Sequence, residues 1–260
     1  MVNRDKQLQA IDRLLSIMDE LREKCPWDRK QTFESLRHLT IEEVYELSDS
    51  ILEGNHNDIK SELGDLLLHI VFYAKIASEQ SSFDIADVAN RISDKLIQRH
   101  PHVYGDLEVS SQEEVKQNWE TIKLKENNKG VFSGVPPSLP TLVKAYRMQE
   151  KAAGVGFDWK HVDGVIQKIE EELQEFYHEI KQKNQKSAAV EFGDFLFSLV
   201  NYARFMGINP DDALSIANQK FQNRFVKMET IISDRQMDMG QLNSDDWAAM
   251  WKEVKSEKLD

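Results

Sequence analysis

Acidic residues at helical spacing are the first candidates for chemistry in this chain. Glu43 and Glu46 are three residues apart, and so are Glu62 and Asp65. On an α-helix, residues three apart share a face, with Cβ atoms roughly 5–6 Å apart. Carboxylates that converge from two neighbouring helices repel one another strongly unless cations lie between them. The spacing therefore predicts a binding site for divalent cations.

The acidic pattern recurs in the second half of the chain. Five acidic residues of the first half each have an acidic counterpart 129 positions later, so that Glu43 corresponds to Glu172 and Asp65 to Asp194. The second set is Glu171, Glu172, Glu175, Glu191 and Asp194, and it repeats Glu42, Glu43, Glu46, Glu62 and Asp65. A tandem duplication explains this regularity and makes chance placement of the acids unconvincing.

The predicted ligands are all carboxylate oxygens. Hard cations prefer oxygen ligands, so Mg²⁺ is the predicted metal, with Mn²⁺ as a substitute. A di-iron bundle needs Glu-x-x-His pairs, and His69 falls four residues beyond Asp65 rather than completing such a pair. A solvated acidic face is the other interpretation. The repeat and the apolar neighbours of Glu62, namely Leu63 and Leu66, argue against it.

Basic and aromatic residues downstream of the acids also repeat. Lys95 and Arg99 lie one helical turn apart, and Lys220 and Arg224 repeat that spacing. Such pairs can neutralise the outer phosphates of a ligand. Each pair is followed by a Trp and a Lys four residues apart, Trp119 with Lys123 and Trp251 with Lys255. A Trp ring at these positions either stacks on a base or packs in the core.

The elements that must position these residues are helices. Apolar residues recur at helical spacing along most of the chain, and strand-like alternation is hard to find. Turn-forming residues at 54–58 predict an antiparallel helical hairpin in which the acidic pairs face each other. Gly64 and Gly193 fall inside predicted helices, where glycine costs stability, so we expect a helix or a ligand close to both.

The sequence divides into two predicted modules. Residues 131–140 hold three of the six prolines and break any helix. We therefore predict a Pro/Gly-rich linker at 131–140 between helical bundle modules at 1–130 and 141–260.

Composition excludes several functional classes. The chain has 260 residues and a formal net charge of −12, which disfavours binding to nucleic acid. The longest apolar run, residues 66–74, is too short to span a bilayer. A single cysteine and an N-terminal stretch without a signal-peptide pattern predict a cytoplasmic protein.

These motifs resemble those of the MazG family of nucleoside triphosphate pyrophosphohydrolases, over nearly the whole chain. The EExxE and ExxD patterns alone are typical of a wider all-α superfamily, and their combination in tandem is more specific. The further motifs are Cys25-Pro26-Trp27-Asp28, Arg99-His100-Pro101-His102-Val103-Tyr104, Val155-Gly156-Phe157-Asp158-Trp159 and Lys220-Phe221-x-x-Arg224-Phe225.

The resemblance implies an all-α dimer that hydrolyses (d)NTPs to the monophosphate and pyrophosphate. It also implies that the C-terminal module is the active one, although the first half keeps its acidic set. The implied metal ligands are Glu172, Glu175, Glu191 and Asp194. The implied nucleotide contacts are Lys168, Lys220, Arg224 and Trp251, with weaker first-half equivalents Lys95, Arg99, Trp119 and Lys123. Glu171, or Glu42 in the first half, is the candidate general base.

One alternative of another class is left open by the sequence. Tandem helical repeats often serve as scaffolds, so a non-catalytic protein that binds a nucleotide or a protein partner is the second hypothesis.

Overall fold

The computed structural model describes residues 3–111, 114–115, 118–119, 122 and 130–256. All regular elements in these residues are helices, which confirms the predicted all-α fold. None of the helices in these ranges has the length and apolar character needed to cross a membrane.

The chain divides into two compact units, Met1–Val109 and Ser110–Asp260. This boundary comes earlier in the chain than the proline-rich segment 131–140. That segment belongs to the second unit, where Phe132 lines a cavity beside the helices. The predicted module bounds, 1–130 and 141–260, stay a prediction.

The first unit contains five helices in its described residues. They are α1 (Arg4–Lys24), α2 (Phe33–Glu53), α3 (His56–Glu79), α4 (Ile85–Arg99) and the short α5 (Pro101–Tyr104), with a 3₁₀ turn at Asp28–Lys30. Helices α2 and α3 pack along each other, and α1 and α4 pack against α3. The core cluster is Met18, Leu36, Val71, Phe72 and Ile76.

Capping residues at the helix ends determine where the α2–α3 hairpin turns. Thr32 accepts a hydrogen bond from the backbone N–H of Ser35, whose side chain accepts one in return from the N–H of Thr32, so α2 begins with a capping box. Gly54 ends α2 in the left-handed conformation, with φ of 72°. Asn55 then caps α3 by accepting from the N–H of Asn57. The chain therefore reverses within two residues, as the turn-forming composition predicts.

Five helices of the second unit have bounds within the described residues. They are α6 (Thr141–Gly154), α7 (Val162–Lys181), α8 (Gln185–Phe205), α9 (Pro210–Asp234) and α10 (Ser244–Ser256), with a 3₁₀ turn at Met239–Gln241. Helices α7 and α8 form the counterpart of the α2–α3 hairpin, α6 packs on α8, and α10 packs on α9. Asn184 caps α8 by accepting from the N–H of Ser187.

The two glycines predicted to allow close packing do not do so within the described chain. A Cβ added at Gly64 or at Gly193 would meet no atom within 4 Å. Both residues are exposed on their helices. The expectation of a helix packed against them was therefore wrong for contacts inside each unit.

Arg22 ties three elements of the first unit together. Its Nε donates to Glu79 Oε1 at 3.0 Å, and its Nη1 donates to the backbone carbonyls of Asp28 and Gln31. The side chain is only 9% exposed, and its guanidinium lies 5.6 Å from the centre of the Phe72 ring. Helix α1, the 3₁₀ turn and α3 thus share one buried cation.

The Arg22–Glu79 pair should make the first unit sensitive to acid. Hydrogen bonding by Arg22 is the main reason why the pKa of Glu79 is lowered. A lowered folded-state pKa gives stability that is present above the unfolded value of about 4.3 and is lost as the pH falls through the folded value. We predict that Glu79→Gln lowers the thermal unfolding temperature at neutral pH, and that the difference from wild type shrinks in this acidic range.

The control for this prediction is Glu20→Gln. Glu20 pairs with Lys24 at 3.4 Å, but both side chains are more than half exposed, and exposed pairs contribute little. A Glu79→Gln deficit that stays constant down to strongly acidic pH would contradict the assignment.

Candidate metal and nucleotide site

The hairpin of the second unit gathers acids from two helices. Glu172 lies on α7, and Glu191 and Asp194 lie on α8. One carboxylate oxygen of each lies within 4.8 Å of the others. Glu172 is buried, with 6% of its surface exposed, while Asp194 is open to solvent. The group therefore has a buried floor and an accessible side.

A second acidic group shares Glu172. Oxygens of Glu171, Glu172 and Glu175, all on α7, also lie within 4.8 Å of one another. Because Glu172 belongs to both groups, the five predicted carboxylates of this half form one continuous cluster. Glu171, Glu175 and Asp194 are its exposed members.

The first unit repeats this arrangement in part. Oxygens of Glu43, Glu62 and Asp65 lie within 4.8 Å of one another. Glu46 is exposed. Its charge is nevertheless close enough to contribute to the raised pKa of Glu62, after partial burial of that group. The α2–α3 hairpin therefore also brings acids together from both of its helices.

Crowding of the carboxylates opposes their ionisation. Burial, followed by the charges of Glu175, Asp194 and Glu172, raises the pKa of Glu191. Burial and then the charge of Asp65 likewise raise the pKa of Glu43. Each carboxylate thus sits where negative charge is already in excess, which is an environment that a cation relieves.

Lys168 supplies one positive charge to this cluster. Its Nζ lies 2.6 Å from Glu171 Oε1 and 2.7 Å from Glu172 Oε1. These two hydrogen bonds raise the pKa of Lys168 above its ordinary value. The first unit has Leu39 at the corresponding position, and Leu39 packs against the core cluster. The two acidic sites therefore differ in the charge beside them.

The donor set fits a hard divalent cation. All three acidic groups consist of Glu and Asp, with no His or Cys among the described members. Oxygen ligands of one Mg²⁺ or Ca²⁺ ion lie about 2.0–2.6 Å from it, so two of them are separated by no more than about 5 Å. The spacing of the carboxylate oxygens satisfies this limit. It gives no support to the di-iron alternative, whose helices carry Glu-x-x-His pairs.

A cavity of about 560 Å³ adjoins the acids of the second unit. Lys168, Glu172 and Asp194 line it together with four aromatic side chains. The aromatic side chains are Phe132, Phe157, Trp159 and Phe197. Cavities of this size with mostly apolar walls and a few polar groups are typical of small-molecule sites.

Three of the predicted nucleotide contacts lie on other helices of the second unit. Lys220 and Arg224 lie on α9, and Trp251 lies on α10. The Arg224 guanidinium lies 5.7 Å from the centre of the Trp251 ring, and Trp251 packs against the α9–α10 core cluster. None of the three is among the residues that line the cavity. Their role in nucleotide binding stays a prediction.

The corresponding residues of the first half are less complete. Lys95 is exposed and Arg99 half-buried, both on α4, and Trp119 is 36% exposed. Lys123 lies outside the described residues. The nucleotide-binding role proposed for this set also stays a prediction.

Sequence reasoning missed most of the cavity. Gln149, Ser198, Asn201 and Arg204 line it, and none belongs to a motif that a single sequence reveals. Phe157 and Trp159 belong to a motif quoted above, but their spacing alone gives them no role. Packing of α6 against α8 brings Gln149 to this cavity, whereas Ser198, Asn201 and Arg204 lie on α8 with Asp194.

Comparison with known proteins agrees with this geometry. The MazG nucleotide pyrophosphohydrolase domain matches the sequence twice, over residues 31–104 and 161–227. Each match contains one of the acidic hairpins described above.

Relatives of nearly the same length extend the match to almost the whole chain. A nucleoside triphosphate pyrophosphohydrolase of Escherichia coli K12 is 40% identical over 97% of this chain and all of its own length. A nucleoside triphosphate pyrophosphohydrolase/pyrophosphatase MazG of Thermotoga maritima is 45% identical over 94% of this chain and 95% of its own. Two domain matches that together cover more than half of the chain, and relatives aligned over nearly their full length, show that the protein belongs to the MazG nucleotide pyrophosphohydrolase family.

Proposed function

We propose that the protein is a nucleoside triphosphate pyrophosphohydrolase, which converts a (d)NTP and water into the (d)NMP and pyrophosphate. The observation that carries the proposal is the group formed by Glu172, Glu191 and Asp194, whose oxygens lie within 4.8 Å of one another beside an aromatic cavity. The names of the relatives from Escherichia coli and Thermotoga maritima support the same activity. The non-catalytic scaffold gains no support from them.

We further propose that the second unit carries the activity. Its acids adjoin an open cavity, and Lys168 places a positive charge beside them. The first unit has the acidic hairpin but has Leu39 in place of that lysine. A triphosphate carries negative charge along its whole length. The unit that offers a lysine as well as a proposed cation site therefore suits it better.

Glu172, Glu175, Glu191 and Asp194 are the proposed ligands of Mg²⁺, with Mn²⁺ as a substitute. A divalent cation held there would offset the negative charge of the phosphates and would make water a better nucleophile. The carboxylates would hold that cation, and Glu172 is fixed by its burial on α7. Fixed charges aimed at the reacting group require no reorganisation during the reaction.

Glu171 is the proposed general base. It lies at the exposed edge of the cluster, beside Glu172, and its side chain is 56% exposed. In this assignment it accepts the proton of the attacking water as the water oxygen bonds to the α-phosphorus. The bond between the α-phosphorus and the bridging oxygen then breaks, and pyrophosphate leaves with that oxygen. Lys168, Lys220 and Arg224 are the proposed partners of the phosphate oxygens.

A homodimer is the proposed assembly. Helix α8 exposes large apolar side chains on the hairpin, including Phe192 at 44% and Leu196 at 45%. Exposed apolar surface of this kind is common where a second chain packs. A second copy of the same hairpin is the proposed partner, and a cytoplasmic location stays a prediction from the sequence.

The assignment of the active half predicts a contrast between matched variants. Glu172→Gln and Asp194→Asn each remove one charge from the acidic cluster of the second unit. Each should lower the rate of pyrophosphate release at least about 100-fold, which is typical for the loss of charge stabilisation in the transition state. Glu43→Gln and Asp65→Asn, at the corresponding positions of the first unit, should retain most activity. Steady-state pyrophosphate release with Mg²⁺ checks this, and circular dichroism verifies folding. Retained turnover in both second-unit variants would reject the assignment.

We expect Lys168 to weaken metal binding and to strengthen nucleotide binding. Because its Nζ lies 2.7 Å from Glu172 Oε1, it competes with a cation for that oxygen. We predict that Lys168→Met strengthens Mn²⁺ binding to the nucleotide-free protein and raises KM for the triphosphate. Electron paramagnetic resonance of free Mn²⁺ measures the first effect and pyrophosphate release the second.

Lys181→Met is the matched control for this variant. It removes the same charge from the exposed last turn of the same helix, away from Glu171 and Glu172, the ion-pair partners of Lys168. Equal changes in Mn²⁺ affinity for the two variants would mean that only net charge matters.

A further inference from the structure

The loop between α6 and α7 forms part of the cavity wall in the second unit. Phe157, Asp158 and Trp159 all line the cavity. They lie in the segment 155–159, which we call the aromatic loop. The acids lie on α7 and α8, so the shape of the cavity beside them depends on where the aromatic loop is held.

The backbone fixes the start of the aromatic loop. Gly156 has a φ of 90°, in the left-handed region that favours glycine. Its N–H donates to the carbonyl of Ala153 at 2.9 Å. The N–H of Phe157 donates to the carbonyl of Ala152 at 3.0 Å. These two bonds form a Schellman motif, which ends α6 and directs the chain away from the helix.

Side-chain packing fixes the far end of the aromatic loop. A Cβ at Gly164 would lie 2.6 Å from Trp159 Cε3, which is closer than a side chain can approach. The Trp159 ring therefore rests directly on the first turn of α7. The residue is 43% exposed, so part of its surface stays accessible.

Arg204 of α8 holds the middle of the aromatic loop. Its Nη1 donates to Asp158 Oδ2 at 3.0 Å, and its Nη2 donates to Asp158 Oδ1. The same Oδ1 accepts a hydrogen bond from the backbone N–H of Trp159 at 2.9 Å. The Asp158 carboxylate thus links the guanidinium on α8 to the backbone of the loop. A forked pair of this kind fixes orientation as well as distance.

Asn201 fixes Arg204 in its turn. Arg204 Nε and Nη2 donate to Asn201 Oδ1 at 3.1 Å and 2.9 Å. The Arg204 side chain is 12% exposed and that of Asp158 is 29% exposed, so this ion pair is shielded from the water that weakens surface pairs. Asp194 lies on the same helix. The aromatic loop is therefore tied to a helix that carries a proposed metal ligand.

The first unit uses the corresponding positions of its hairpin differently. Lys75 corresponds to Arg204, 129 positions later, and its Nζ lies 2.6 Å from Asp19 Oδ1 on α1. Asn201 corresponds to Phe72, which is 2% exposed in the core. The cation of the first unit therefore pairs with a helix, whereas Arg204 pairs with a loop that lines a cavity.

The loop of the first unit is held from another direction. Trp27-Asp28 and Phe157-Asp158 set a register of 130 for the preceding helix, so Arg22 corresponds to Ala152. Arg22 of α1 donates to the backbone carbonyl of Asp28. An arginine thus holds each loop, but in the second unit it comes from the helix that also carries acids of the cluster.

We propose that Arg204 is a positioning residue for triphosphate binding. Through the Asp158 carboxylate it holds the aromatic loop in the place where the loop contacts the bound nucleotide. The inference rests on the proposed function for the identity of the ligand. Arg204 acts through the loop and not on the phosphates, because its Nε, Nη1 and Nη2 already donate to Asp158 or Asn201.

Breaking the forked pair tests this inference. Arg204→Met and Asp158→Asn each remove one side of it. The probe is α,β-imido-dATP with Mg²⁺, whose Kd is measured by calorimetry on the full chain. Both variants should raise this Kd at least about 5-fold, which is less than a whole charge-assisted hydrogen bond can contribute. The kcat of pyrophosphate release should stay within about 2-fold of wild type, because the loop binds substrate and transition state alike.

The two substitutions should not add. In the double variant the second change removes a partner that is already lost, so the Kd should be no higher than in the weaker-binding single variant. Arg204→Lys should not restore binding, since an ammonium group cannot form the fork. Restoration by Arg204→Lys, or a loss in Arg204→Met that Asp158→Asn does not share, would make Arg204 a direct charge contact and refute the inference.

The matched control is Lys75→Met, at the corresponding position of the first unit. It removes the ion pair with Asp19 and should leave the Kd unchanged. An equal rise of the Kd in this control would overturn the positioning role. Asp158→Asn keeps the size of its side chain, and it carries the test if Arg204→Met fails to fold by circular dichroism.

Mn²⁺ binding to the nucleotide-free protein is the second readout. Electron paramagnetic resonance should show unchanged Mn²⁺ affinity in Arg204→Met and Asp158→Asn, because neither residue belongs to the acidic groups. Parallel losses of Mn²⁺ and nucleotide affinity would mean a general disturbance of the second unit and would also overturn the inference.

These outcomes separate the inference from the proposed function. If wild type releases no pyrophosphate from any triphosphate while Asp158→Asn still loses affinity for the imido analogue, the activity fails and the positioning role stands. If wild type is active and both folded single variants keep the wild-type Kd, the positioning role fails and the activity stands.

Discussion

Mutual repulsion between carboxylates is the constraint around which each helical hairpin is built. Helices α7 and α8 hold Glu172, Glu191 and Asp194 so close that the pKa of Glu191 is raised by burial and by its acidic neighbours. Such a cluster is unfavourable by itself, because like charges at short distance in a partly buried site oppose one another. It becomes favourable when a cation is added. Stability of the bare fold is therefore lowered at the place that we propose as the metal site.

Lys168 partly offsets the repulsion between the carboxylates of the second unit. Its ammonium pairs with Glu171 and with the buried Glu172, so part of the negative charge is balanced within α7 itself. The balance is incomplete, since Glu191 still has a raised pKa. Lys168 therefore partly neutralises the cluster, and the remaining negative charge is available to the proposed divalent cation. The first unit has Leu39 at this position, so no lysine there balances the charge of its acids.

The two units show how a duplicated framework can diverge through packing. Both have a capped hairpin with three acids within 4.8 Å. In the first unit, Arg22 and Phe72 fill the place beside the hairpin and help to form a tight core. In the second, Ala152 and Asn201 leave a cavity at the corresponding place. Loss of buried volume lowers stability, and a site that binds a ligand recovers part of that free energy only when the ligand is present.

The sequence by itself determined the helical fold, the tandem pattern and the identity of the clustered acids. It did so because helical period and an offset of 129 residues are local, countable properties, and because Glu172 and Asp194 can meet only if their short connecting turn reverses the chain. Tertiary structure alone decided which other side chains reach those acids. Three features depend on how α6, α7 and α8 pack: the pairing of Lys168 with Glu172, the unpartnered oxygen of Gln149 within the described residues, and the exposure of Gly193. The spacing of residues in the sequence does not encode contacts between helices that are distant in the chain.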